Sequence, residues 1–124
     1  MNDRPRLIPG PDHPITIIPA AAHVVVRVAG RIVADSRAAL SLKEAGYPPV
    51  LYVPRGDIDM ASFEPSARRT YCPYKGDCVY FDIVIGGERR ADAAWSYEHP
   101  YPAVAEIKDH LAFYPDRVDS ITAS

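Results

Sequence analysis

Proline sets the strongest limit on what this chain can become. Thirteen of its 124 residues are Pro, about twice the usual share of roughly 5%. Pro lacks the amide hydrogen and fixes φ, so it is confined to turns, strand ends and the first turn of a helix. A helix bundle is excluded, and the chain must be built from short segments. Its 48% apolar and 24% charged residues supply a core and a solvated surface, which sets disorder aside, and the length fits one domain. A net charge of −2 gives no basic footprint for a nucleic-acid backbone and no general affinity for an anionic membrane. No apolar run of about 18 residues is present. Arg4, Arg6 and several prolines occupy the stretch where a signal peptide needs apolar residues. The expected address is the cytoplasm.

Residues 1–14 carry Pro5, Pro9, Pro11 and Pro14 and are expected to be an extended N-terminal arm. Residues 15–118 then read as a single β-rich domain and 119–124 as a tail. Ile15–Pro19 is a short β-branched run, and His23–Ala29 with Arg31–Ser36 is a β-hairpin turning at Ala29-Gly30. Arg37–Ala45 is assigned to strand, although its period does not separate strand from helix. Val50–Val53 is a buried strand stopped by Pro54, and Asp57 is placed to cap a short helical turn through Met60 and Ser62. Arg68–Cys72 and Cys78–Ile85 read as strands about the loop 73–77. Gly86-Gly87 is a tight turn requiring positive φ, and Arg89–Tyr97 follows as a strand. Ala103–His110 is the one expected helix, with Pro102 at its first position and Val104, Ile107 and Leu111 as an apolar stripe. Leu111–Val118 closes the domain. The expected fold is mainly β, a compact antiparallel domain of open-barrel or sandwich type, with one short helix in the C-terminal half.

The densest polar cluster is Tyr71-Cys72-Pro73-Tyr74-Lys75-Gly76-Asp77-Cys78. A thiol attacks only as thiolate, and a neighbouring cation such as Lys75 favours that form, so Cys72 is a candidate nucleophile or redox thiol. His99 and His110 are candidate acid–base partners. The plainer reading is a tight Lys-Gly-Asp turn with Cys72 packed as a small apolar residue. A Cys72–Cys78 disulfide fits a short strand-loop-strand and would be worth about 2.4 kcal/mol on loop entropy, but without a secretion signal both thiols are expected to be reduced. Their spacing is unlike that of zinc knuckles, so no metal and no cofactor are expected. Asp57-Ile58-Asp59 follows Pro54-Arg55-Gly56 and sits where a turn begins, so capping is a better use for it than binding metal ions on a strand. Glu106 and His110, four apart on the expected helix, would share a face on which a carboxylate orients an imidazole; solvated helices carry many such pairs. Tyr71, Tyr74, Tyr80, Trp95, Tyr97, Tyr101 and Tyr114 crowd the C-terminal half, as an open aromatic pocket or as ordinary packing at sheet margins.

Three segments in order, Cys-Pro-Tyr-Lys-Gly-Asp (72–77), Ala-Ala-Trp-Ser-Tyr (93–97) and the run from Pro100 to Tyr114, resemble the bacterial and fungal family known as domain of unknown function 427, also labelled nucleotidyltransferase-like. Val-Ala-Asp-Ser (33–36) and Tyr-Val-Pro-Arg (52–55) extend the likeness over roughly residues 19–118. The resemblance implies a compact, mainly β two-sheet domain of β-tent type, a pair of antiparallel sheets meeting at an angle. Its motif positions fall on Cys72, Tyr74, Lys75, Gly76, Trp95, Tyr97, Glu106, His110 and Tyr114. It implies no settled activity.

Motifs that pack together usually line one site. The leading expectation is therefore a pocket for a small polar ligand formed by the Cys72–Asp77 loop, Trp95, Tyr97, Glu106 and His110, with Tyr74 and Tyr114 among its binding residues. In the enzymatic alternative Cys72 is the nucleophile, His110 the acid–base group oriented by Glu106, and Lys75 the anion partner. In a third reading the chain is an interaction domain whose sheet edges pair with a partner protein. It would act as a monomer or homodimer, without nucleic acid or membrane.

Overall fold

A computed structural model describes residues 4–124. Ten strands account for most of them: β1 (Ile15–Pro19), β2 (Val24–Val28), β3 (Arg31–Ser36), β4 (Leu40–Glu44), β5 (Val50–Pro54), β6 (Phe63–Cys72), β7 (Gly76–Ile85), β8 (Glu88–Ser96), β9 (His110–Phe113) and β10 (Ser120–Ala123). They form two antiparallel sheets, one ordered β1-β4-β5-β9-β8-β7-β6 and one ordered β10-β2-β3. The hairpins sit where the turn residues require them. Gly86 and Gly87, at φ of 57° and 84°, supply the left-handed pair that a two-residue turn between β7 and β8 demands.

Alternation of side chains gives the large sheet two apolar faces. Leu51, Val53, Phe81, Ile83, Leu111 and Phe113 point to one side and pack on Val24, Val26, Val28 and Val33 of the small sheet. Leu42, Tyr52, Cys78, Tyr80, Tyr97 and Ala112 point to the other side, with Val104 and Ile107 packed among them. The large sheet curls around this second cluster but does not close into a barrel. Its ends come near each other because the turn between β6 and β7 reaches across to the end of β4.

Three expectations need correction. Residues 102–107 form 3-10 turns, and Val104 at φ −127°, ψ 28° interrupts them; Pro102 starts the first turn, but the segment follows the sheet face instead of coiling into the expected helix. His110 is therefore a strand residue at the head of β9, opposite Pro54, and shares no helix face with Glu106. The closing residues are not a free tail, since β10 pairs with β2 from Ser120–Arg27 to Ala123–Val24. Asp57 caps nothing: its carboxylate accepts the buried Ser36 hydroxyl at 2.6 Å, and the hydroxyl of Ser62 donates to Asp59 at 2.9 Å. Within the N-terminal arm, residues 1–3 lie outside the described residues. The remainder lies along the β6–β7 hairpin, where the Leu7 amide donates to the Pro73 carbonyl at 3.0 Å and the Tyr71 hydroxyl to the Pro5 carbonyl at 2.7 Å.

Candidate functional site

Lys75 occupies the turn between β6 and β7, and its side chain passes inward instead of into solvent. Only 7% of the residue is exposed. Two local features direct it there. Gly76 takes a φ of +108°, with the space above its α-carbon closed by the His99 carbonyl, and the Lys75 carbonyl accepts the Tyr101 amide at 3.0 Å. The turn is thereby pressed against residues 99–101. The ammonium lies over the Tyr97 ring, 5.8 Å from its centroid, and donates to Glu44 at the end of β4. A buried charge needs such a partner.

Glu44 holds a second group. Its other oxygen pairs with His13 Nε2 at 2.8 Å, and the His13 ring stacks on Tyr74 with centroids 4.0 Å apart and planes 5° from parallel. Burial pushes the Glu44 carboxyl up, but hydrogen bonds from Lys75 and His13 outweigh it and hold the group below its ordinary value. The arm thus closes one side of the site through His13.

Above this ion pair opens a cavity of about 600 Å³, lined by Leu42, Tyr47, Val50, Tyr52, Trp95 and Pro115 among others, with Glu44 and Lys75 at its polar end. The Trp95 indole N–H donates to the Tyr52 hydroxyl at 3.3 Å, and Trp95 leans on Tyr114, centroids 4.5 Å apart. Burial drives the Tyr52 and Tyr97 phenols far above their usual range. Both stay neutral; Tyr52 lines the cavity as a hydrogen-bonding wall, and Tyr97 lies beneath the Lys75 ammonium.

Of the residues singled out from the sequence, Lys75, Trp95, Tyr97, Tyr74 and Tyr114 are gathered at or beside this cavity. Cys72 packs at the margin of the same aromatic cluster. Glu106 and His110 are not part of it. Glu106 is exposed, and His110 donates from Nδ1 to the Lys108 carbonyl at 2.8 Å. Among the described residues no hydrogen bond joins either of them to Cys72, so the expected acid–base pair is not assembled. Cys72 and Cys78 are free thiols. They do not face each other across the hairpin, because Cys72 pairs with Gly76 and Cys78 with Thr70. Among the described residues no three His, Cys, Asp or Glu side chains converge as a metal site would need, and no helix is long and apolar enough to cross a membrane.

Glu44, His13, Tyr52 and the Pro48-Pro49 rim escaped the sequence reading. All four lie in the N-terminal half, far along the chain from the motif-bearing loop. The one available signal was the isolated acid at the end of a short strand, immediately before the Gly46 turn.

A family model described as a domain of unknown function (DUF427) matches residues 16–124. No curated protein matches the chain.

Proposed function

The chain belongs to the DUF427 family, whose description names no activity, and from the cavity itself we propose that it is a binding domain for a small, polar, uncharged ligand. Supporting this is one observation: a buried ammonium, Lys75, opens onto a largely apolar aromatic cavity of about 600 Å³, a size typical of small-molecule sites. An ammonium has three N–H donors, and among the described residues Glu44 is its acceptor. The donors left over suit a carbonyl or hydroxyl oxygen whose apolar remainder rests on Trp95 and Val50.

Charge selects the ligand class. Lys75 already has its counter-ion, and His13 occupies the other oxygen of that carboxylate. A carboxylate ligand would bring an unbalanced negative charge beside Glu44, and a cation an unbalanced positive one beside Lys75. A neutral acceptor costs neither.

The test uses acetamide, butanamide and benzamide, with butanoate and benzoate as charged counterparts. Trp95 is the only tryptophan, so its emission reports from the cavity wall. The amides are expected to give saturable changes, the carboxylates to bind at least tenfold more weakly, and Lys75→Met to weaken the amides about tenfold or more, as loss of a hydrogen bond from a charged donor implies. Absence of saturable binding by every amide, or undiminished binding to the folded Lys75→Met variant, overturns the proposal.

A further inference from the structure

We propose that this site continues through the large sheet into a second, apolar cavity, so that the ligand is an uncharged amphiphile with its polar head at Lys75 and a short alkyl tail between the two sheets. The inference rests on the binding reading above and narrows its ligand class.

The second cavity, of about 340 Å³, lies on the other face of the sheet against Val24, Val26, Leu51, Phe113 and Ile121. Its walls carry no charged side chain. A polar group placed there would go unpaired, whereas a hydrocarbon chain would be accommodated at no such cost. Pro49, Val50, Trp95 and Pro115 line both cavities, which therefore meet at these four residues.

They meet because the sheet is split there. Pairing of β5 with β9 is confined to Val53–Leu111 and Pro54–His110. Continuing that register would set Val50 opposite Tyr114 and Pro49 opposite Pro115, and neither proline has an amide hydrogen to donate. The Tyr114 amide instead donates to the Ala93 carbonyl at 2.9 Å, and β9 follows β8 through Ala94–Phe113 and Trp95–Ala112. Strands β5 and β9 diverge on the N-terminal side of Val53, toward Val50, and Trp95 stands beside the opening. A chain whose head accepts from Lys75 can pass this gap and end among the valines of β2.

Calorimetric titration with acetamide, butanamide and octanamide tests the path. Tail burial is expected to tighten binding by about fourfold per methylene, roughly 250-fold over the four methylenes between butanamide and octanamide. Ile121→Phe, at a half-buried position on the edge of the apolar cavity, is expected to weaken octanamide at least tenfold and leave butanamide unchanged. In the unmodified protein, nuclear Overhauser contacts should join the octanamide methyl group to Val24, Val26 or Ile121. Equal affinity for butanamide and octanamide, equal weakening of both by Ile121→Phe, or methyl contacts confined to surface residues such as Ile18 would overturn the amphiphile path while leaving head binding at Lys75 intact. If no amide binds, both proposals fall together.

Discussion

The ammonium of Lys75, between β6 and β7, is held by the carboxylate of Glu44 at the end of β4, although β5, β9 and β8 lie between those strands in the sheet. Such a contact exists only if the sheet curls on itself. The pair therefore links the two flanks of the large sheet across the aromatic cluster, and its geometry is the geometry of the cavity mouth. His13 adds the N-terminal arm to the same junction through the second Glu44 oxygen.

Removing the two partners should not cost the same. Glu44→Gln leaves the more deeply buried charge, Lys75, without its counter-ion, and breaking a buried pair in this way costs about 3–5 kcal/mol. Lys75→Met leaves Glu44 with His13 and with more access to water, so its cost is expected to be smaller, about 1–2 kcal/mol. The double variant should be more stable than Glu44→Gln alone. Urea unfolding of all three measures the coupling, and additive losses would mean that the two charges do not depend on each other.

Acid should weaken the same junction. The carboxyl of Glu44 is held below its ordinary 4.5 in the folded protein, so on lowering the pH the unfolded chain takes up the proton first. The stabilisation is complete above about pH 4.5 and is lost as pH falls through the lower folded value. Asp77 and Asp119 are shifted in the same direction by Arg4 and Arg90, but both are solvent-exposed and contribute little. Urea midpoints measured from neutral pH downward should converge for the unmodified protein and Glu44→Gln. A gap between them that stays constant into acid would remove Glu44 as the cause.

How much of this was legible beforehand depended on whether the signal was local. The hairpin expected over residues 23–36, the Gly86-Gly87 turn and the strand expected over Val50–Val53 each follow from residues within a few positions of one another, and each formed within a residue or two of where the pattern put it. Ala103–His110 misled for the same reason: Val104, Ile107 and Leu111 have helical spacing, but what decides their conformation is the curved sheet face that Val104 and Ile107 must cover. Lys75, Trp95 and Tyr97 were identified by chemistry concentrated in one half of the chain. Their partners Glu44 and His13 were not, because a lone acid and a lone imidazole acquire meaning only when the sheet folds them together.

Thiol chemistry separates the binding reading from a cysteine-dependent enzyme. Cys78 is 1% exposed, and burial pushes its thiol up, so it should resist alkylation until the protein unfolds. Cys72 is half-buried and should take a single label in the native state. Intact mass is expected to show one adduct under native conditions and two in urea. Because His110 is engaged with the Lys108 carbonyl and Glu106 lies on the surface, His110→Ala should leave the Cys72 labelling rate unchanged. A rate that is fast at neutral pH and falls in that variant would favour the enzyme.

The turn that carries Lys75 makes the last prediction. Gly76 sits at φ +108°, outside the left-handed region that other residues visit, and a β-carbon there would stand 3.4 Å from the His99 carbonyl oxygen. Gly86, at φ +57°, lies in open space. Ala at Gly86 should cost only the left-handed penalty, about 1 kcal/mol. Ala at Gly76 adds a more strained backbone, worth roughly 1–3 kcal/mol; its β-carbon would meet the His99 carbonyl oxygen at van der Waals distance, so the strain is relieved only by shifting the turn against residues 99–101. Displacement there moves the Lys75 carbonyl from the Tyr101 amide and the ammonium from Glu44. Gly76→Ala is therefore expected to lose more stability than Gly86→Ala in urea and also to weaken butanamide binding, which Gly86→Ala should leave untouched. Equal stability losses with unchanged butanamide binding in both variants would show that Lys75 keeps its place without the close approach of the 99–101 segment.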